Sequence, residues 1–235
     1  MRYLGGKSRQ AKRIKQLILD KVDNRETYIE PFLGGASVAS IIAPEFEKVL
    51  LSDLSEDLVL FWQAIQVGWV PPTELTKEEY ANLKECGPSA LRAWAGFAGS
   101  YCGKWFGGYG AVAGERNFLE ESLKSTLRKS GGLSEAIITH RSYLDIKPEA
   151  GSVIYCDPPY ADTTGYTATS GFDNQLFWKT VNGWAEHSFV FVSEYSGPSD
   201  WEVIHLTERF TTIGSVEAGQ PSKKRQEFIF YKGPT

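Results

Sequence analysis

The chain has 235 residues, of which 42% are apolar and 13% aromatic, enough to bury one sizeable core and too much for a disordered chain. Its apolar runs are only a few residues long, so no membrane span is predicted. The opening MRYLGGKSRQAKRI is basic with no apolar stretch behind it, so no signal peptide is expected. Three cysteines, Cys86, Cys102 and Cys156, show no paired spacing, which argues against a disulfide framework or a zinc cluster and fits a reducing cytoplasm. Net charge is −4, which does not advertise nucleic-acid binding, but its distribution is uneven. Residues 1–16 carry +6, residues 86–118 carry +2 and residues 222–235 carry +3, on an otherwise acidic body. Were these windows to converge, they would form a basic face.

In chain order, Ser8 is placed to cap a helix over residues 8–22, with Ala11, Ile14, Leu17, Ile18 and Val22 on one side. Residues 27–32 (TYIEPF) read as a strand running into a Gly-Gly turn. A helix is predicted over 36–43, stopped by Pro44. Residues 48–52 (KVLLS) form a short buried strand, and Asp53 follows directly. The next helix, 55–66, has Glu56 and Asp57 at its positive end. Strand, glycine turn, helix, strand, acid is the opening of a nucleotide-binding α/β sheet. Residues 68–132 break the pattern: they are rich in glycine and aromatics and weakly periodic, and read as an inserted subdomain. Alternation resumes with strands at 136–140 (AIITH) and 153–156 (VIYC), a helix at 175–186, and strands at 189–193, 201–206 and 226–231.

The most informative feature is Asp157-Pro158-Pro159-Tyr160 at the end of the VIYC strand. The prolines remove two backbone donors and leave carbonyl oxygens free to accept. The Asp157 carboxylate and the Pro158 carbonyl suit the two N–H bonds of a flat aromatic amine, and the Tyr160 ring suits its face. Two such acceptors draw the hydrogens toward tetrahedral geometry and localise a lone pair that the ring otherwise delocalises. Gly34-Gly35, after the first strand, lets backbone approach a ligand. Asp53, about 20 residues on, sits where an acid binds ribose hydroxyls. G-x-G-x-x-G and G-K-[ST] are both missing, which points to a nucleoside cofactor without a pyrophosphate. His140, His187 and His205 have no ligand spacing, so no metal is predicted. The absence of Pro-Cys argues against a cytosine C5 nucleophile.

Tyr3-Leu4-Gly5-Gly6-Lys7, EPFLGGAS, LSDLSEDL and DPPY occur in this order, and together they resemble the Dam-type N6-adenine DNA methyltransferases. The resemblance spans residues 1–66 and 136–231. It implies an α/β fold: a Rossmann-like methyltransferase sheet with helices on both faces and an inserted target-recognition subdomain. The catalytic domain would be 1–66 with 136–235, and the DNA-binding insertion 67–135. It implies S-adenosylmethionine as cofactor, bordered by Tyr3, Gly6, Lys7, Phe32, Gly34, Asp53, Ser142, Tyr143 and Asp157. Asp157, Pro158 and Tyr160 would be catalytic, and Arg2 matches a position associated with DNA contact. The usual F-x-G-x-G is here Phe32-x-Gly34-x-Ala36, which predicts weaker tolerance of close approach at the third position.

In the insertion, Tyr101 and Lys104 lie among glycines beside Trp105, Phe106 and Tyr109, a set suited to wedging, stacking and phosphate contact. Lys223, Lys224 and Arg225 suit phosphate contact as well. The implied reaction is methyl transfer to the N6 amine of an adenine flipped out of double-stranded DNA, by direct displacement. An RNA or protein amide substrate, N4-cytosine chemistry and a catalytically silent DNA-binding module stay open. A monomer in a prokaryotic or phage-infected cell, with no obligate protein partner, is the default. GATC is the recognition site the resemblance suggests.

Overall fold

In the computed structural model, residues 1–159, 172–210 and 224–234 are described. Seven strands form one sheet: β1 (Thr27–Glu30), β2 (Lys48–Asp53), β5 (Ile137–His140), β6 (Val153–Cys156), β7 (Phe189–Glu194), β8 (Glu202–Phe210) and β9 (Lys224–Lys232). Their order is β5-β2-β1-β6-β7-β9-β8. The first five run parallel, while β9 is antiparallel to both β7 and β8. A small hairpin, β3 (Val112–Ala113) with β4 (Arg116–Asn117), stands apart.

The core strands are largely apolar because both faces are covered. Tyr28, Val153, Tyr155, Phe191 and Ile229 point to one side, and Ile29, Ile154, Cys156, Val190, Val192 and Phe230 to the other. The first side is packed by α1 (Ala11–Lys21), α2 (Ala39–Ile42) and α3 (Glu56–Gln66). The second is packed by α7 (Asn174–Ala185), through Phe177, Val181 and Trp184.

Three local expectations are corrected. Ser8 is not a cap: α1 starts at Ala11 after Gln10, and the Ser8 hydroxyl lies 3.0 Å from that of Ser37. The helix predicted over 36–43 shortens to α2, because Ala36 takes a left-handed φ of 50°. Pro44 does not stop it but sits in the 3-10 turn Ala43–Glu45 that continues it, where a missing N–H costs little.

The stretch after α3 is more helical than its composition suggests. It holds α4 (Lys77–Glu85), α5 (Ala90–Phe97) and α6 (Phe118–Ser130). Thr76 and Glu79 make a reciprocal capping box, Ser89 caps α5, and the Asn117 side chain accepts from Leu119 and Glu120. Tyr80, Trp94, Phe97, Leu119 and Leu133 join the same buried cluster as α1, α2 and α3. Residues 67–135 therefore share the core of the sheet domain. Arg92 ties the two parts electrostatically, with its guanidinium 2.7 Å from Asp57 in the first turn of α3.

Candidate active site

The sheet changes direction at β1. The chain passes to β2 on one side, and returns to β6 and β7 on the other. In open α/β sheets such a switch point leaves a crevice at the carboxyl ends of the strands. Here those ends carry Glu30 with the glycine loop, Asp53, and Asp157-Pro158-Pro159.

The glycine loop is held from four directions. Asp53 accepts from the Gly34 N–H at 2.8 Å and from the Ser55 N–H at 2.9 Å. The indole of Trp62, on α3, donates to the Gly34 carbonyl at 2.9 Å. Lys129, on α6, donates to the Gly35 carbonyl and, at 3.1 Å, to the Ser37 hydroxyl. Tyr3 lies over the loop: a Cβ on Gly34 would sit 3.0 Å from its ring, and one on Gly35 would sit 2.9 Å from its Cβ. Gly34 also has φ +46°. Gly6 is tight against the Tyr3 carbonyl, 3.2 Å from where a Cβ would stand. At Ala36 the demand is on backbone conformation: a left-handed alanine costs ~1–2 kcal/mol, partly offset by its fully buried methyl.

A charged cluster closes the other side. Lys7, 2% exposed, places its ammonium 2.6 Å from Asp157 Oδ1 and 3.0 Å from Glu227 Oε1. Gln10 donates to Glu227 Oε2 at 2.7 Å. Burial alone would lower the Lys7 ammonium, but the two carboxylates outweigh it and hold its pKa above the ordinary value. Glu30 is buried and accepts from the Tyr28 hydroxyl at 2.6 Å. Burial pushes its carboxyl up to about 8, against the Tyr28 bond and with help from Asp157. Asp53 is also raised by burial, opposed by the N–H groups of Ser55 and Gly34.

Phe32 and Tyr143 form an aromatic wall, with ring centroids 5.4 Å apart and Phe172 and Phe177 behind them. Ser142 caps the turn that presents Tyr143, its hydroxyl accepting from the Leu144 N–H.

The structure thus brings together Tyr3, Gly6, Lys7, Phe32, Gly34, Asp53, Ser142, Tyr143 and Asp157 around the strand ends, with Pro158 buried beside them. Tyr160 and Lys223 lie outside the described residues. Lys224 and Arg225 open β9. Arg2 is turned inward: it donates to the Ala98 and Gly110 carbonyls at 2.8 Å each and sits 4.1 Å over the Phe118 ring. Its guanidinium therefore clamps the segment around α5 and α6. Tyr101, 70% exposed, and Lys104 face outward, whereas Trp105 and Phe106 pack against Phe97 and Tyr80. The residues that sequence reading missed are Glu227, Gln10, Lys129 and the role of Glu30. An acid inside an apolar strand, as in QEFIFY or TYIE, was the available signal for two of them.

Residues 3–85 match the D12 class N6 adenine-specific DNA methyltransferase family. Over that stretch the chain is similar to those methyltransferases. A DNA adenine methylase of Vibrio cholerae (strain O395) is 27% identical over 172 residues, 61% of this chain and 60% of that protein. The Type II methyltransferase M.MjaIII of Methanocaldococcus jannaschii is 23% identical over 213 residues, 74% of this chain and 73% of that protein. The Type II methyltransferase M.CviBI of Paramecium bursaria Chlorella virus NC1A is 35% identical over 68 residues, covering 29% of this chain and 25% of that protein. The chain spans 60% of the length of the Vibrio cholerae relatives it matches. No described helix is long and apolar enough to cross a membrane.

Proposed function

We propose that this chain methylates the N6 amine of adenine in double-stranded DNA, taking the methyl group from S-adenosylmethionine. The observation that carries the reading is Asp157, set at the switch point beside the glycine loop and ion-paired to a buried lysine.

The residues present fit that donor. Asp53, at the end of β2, is placed for ribose hydroxyls. Phe32 and Tyr143 offer a face for a purine ring. Around the strand ends the described side chains are mainly acidic, with Asp157 and Glu227 against one Lys7, which suits a cationic ligand and disfavours a pyrophosphate. When bound, S-adenosylmethionine supplies an activated methyl group on a positively charged sulfur.

The chain's own residues do the rest. Lys7 fixes the Asp157 carboxylate through its ion pair; that carboxylate accepts an N–H of the target amine, and the Pro158 carbonyl is the second acceptor. Tyr160 supplies the stacking face. Fixing two reactants side by side is itself worth effective molarities up to ~10⁵–10⁸ M in well-oriented cases. The 67–135 segment reads the duplex through the exposed Tyr101 and Lys104, assisted by Lys223, Lys224 and Arg225. Asp157→Ala, folded and still binding the donor, is expected to lose transfer by roughly 10²-fold or more. Near-normal transfer by that variant, measured with labelled donor and unmethylated DNA, contradicts the reading.

A further inference from the structure

Lys7 occupies an unfavourable place for a cation. Its carbonyl accepts from the Gln10 and Ala11 N–H groups at 2.8 Å, so it sits on the turn that opens α1, at the positive end of the helix. Its ammonium is nonetheless buried, and it faces two carboxylates from strands on either side of β7, Asp157 after β6 and Glu227 on β9. Glu227 is itself 0% exposed and is oriented by Gln10. An apolar residue in place of Glu227 would leave the buried Lys7 ammonium with one carboxylate fewer, so the acid answers to Lys7, and through Lys7 to Asp157.

We propose that Glu227 is a positioning residue for the reaction, drawing part of the Lys7 ammonium away from Asp157 so that the Asp157 carboxylate keeps its strength as an acceptor for the target amine. A lysine paired to Asp157 alone would spend its whole charge on that carboxylate and compete with the incoming N–H. Shared between two acids, it fixes Asp157 in place without giving its whole charge to that carboxylate. Gln10 holds the far oxygen of Glu227, which keeps the near oxygen on Lys7. The proposal rests on the methyl-transfer reading for its consequence, but the electrostatic arrangement is measurable without turnover.

The test is the titration of Asp157, followed by carboxyl ¹³C NMR in protein labelled at aspartate. Among the described residues, the groups that face Asp157 are Lys7 before α1, Glu227 on β9, Glu30 on β1, and Tyr155 and Cys156 on β6. Glu227→Gln keeps the shape and removes one negative charge, so the Asp157 midpoint moves to lower pH, by about half a unit or more. Glu227→Asp, which keeps the charge, restores it at least partly. In turnover, Glu227→Gln lowers kcat about threefold or more, in step with the shift of the Asp157 midpoint. In a Lys7→Met background the same substitution costs less than about twofold more, because its route through Lys7 is gone.

An Asp157 midpoint that is unchanged or raised in Glu227→Gln overturns the proposal, whatever the melting temperature does. No methyl transfer to DNA by the wild-type protein, with the downward shift still seen on Glu227→Gln, refutes the reaction proposed above and leaves the placement of Glu227 standing.

Discussion

Glu30 shows how much a single buried group can dictate. Its native pKa of about 8 lies above the ordinary 4.5, so the folded chain holds a proton that the unfolded chain releases. The stabilising contribution is fully present below about 4.5 and is lost as pH rises toward 8. Unfolding midpoints in urea should therefore fall between pH 5 and pH 8, and Glu30→Gln should flatten that slope; an unchanged slope in the variant contradicts the assignment. Lys129 acts in a different window. Burial lowers it from 10.5 to about 8, so its contribution grows as pH rises from 8 toward 10.5 and does not mask that of Glu30. At this scale the sequence was legible where a residue is named by its neighbours, as Asp157 is by two prolines. It was not legible for Glu227, whose partner Gln10 lies 217 positions away, because only the assembled sheet makes them meet.

Among elements, the close seat between α2 and the end of α6 is the most exacting. A Cβ on Gly132 would stand 1.8 Å from the Ser40 carbonyl oxygen, so Gly132→Ala must push the turn after α6 away from α2. It is expected to destabilise by about 2 kcal/mol or more, read as a lower denaturant midpoint with an unchanged slope. Near-neutral stability would mean that the two elements are not seated this way. The turn also anchors Lys129, so the variant should loosen the glycine loop and weaken donor binding. The sheet strands were legible in advance because each is a short buried run bounded by turn residues. The helices α4, α5 and α6 were missed although their caps were written out: Thr76-x-x-Glu79 before α4, and Asn117 with Glu120 and Glu121 before α6. Glycine and aromatic richness around residues 96–110 masked them, and that richness serves packing. Gly96, for instance, lies where any side chain would strike Trp105.

For the whole molecule, the basic windows of the sequence are partly spent on internal and surface partners. Lys7 is buried in the charge cluster, Arg2 clamps the 67–135 segment, Arg92 is bonded to Asp57, and Arg116 to Glu121. Arg9, Lys12 and Lys104 remain exposed. Lys104→Ala should weaken duplex binding about equally across sequences and reduce the salt dependence by roughly one counterion. A loss confined to one sequence would instead make Lys104 a base reader. The sheet and the 67–135 segment share one core and are tied through Tyr3, Arg2 and Lys129, so under the proposed function DNA contact and donor binding would be mechanically joined.

The most direct test of the central claim is to incubate the wild-type protein with labelled S-adenosylmethionine and unmethylated genomic DNA, digest to nucleosides, and identify the labelled base. The account predicts N6-methyladenine, lost in Asp157→Ala. Label in N4-methylcytosine, or none in protein shown to bind the donor, would contradict it.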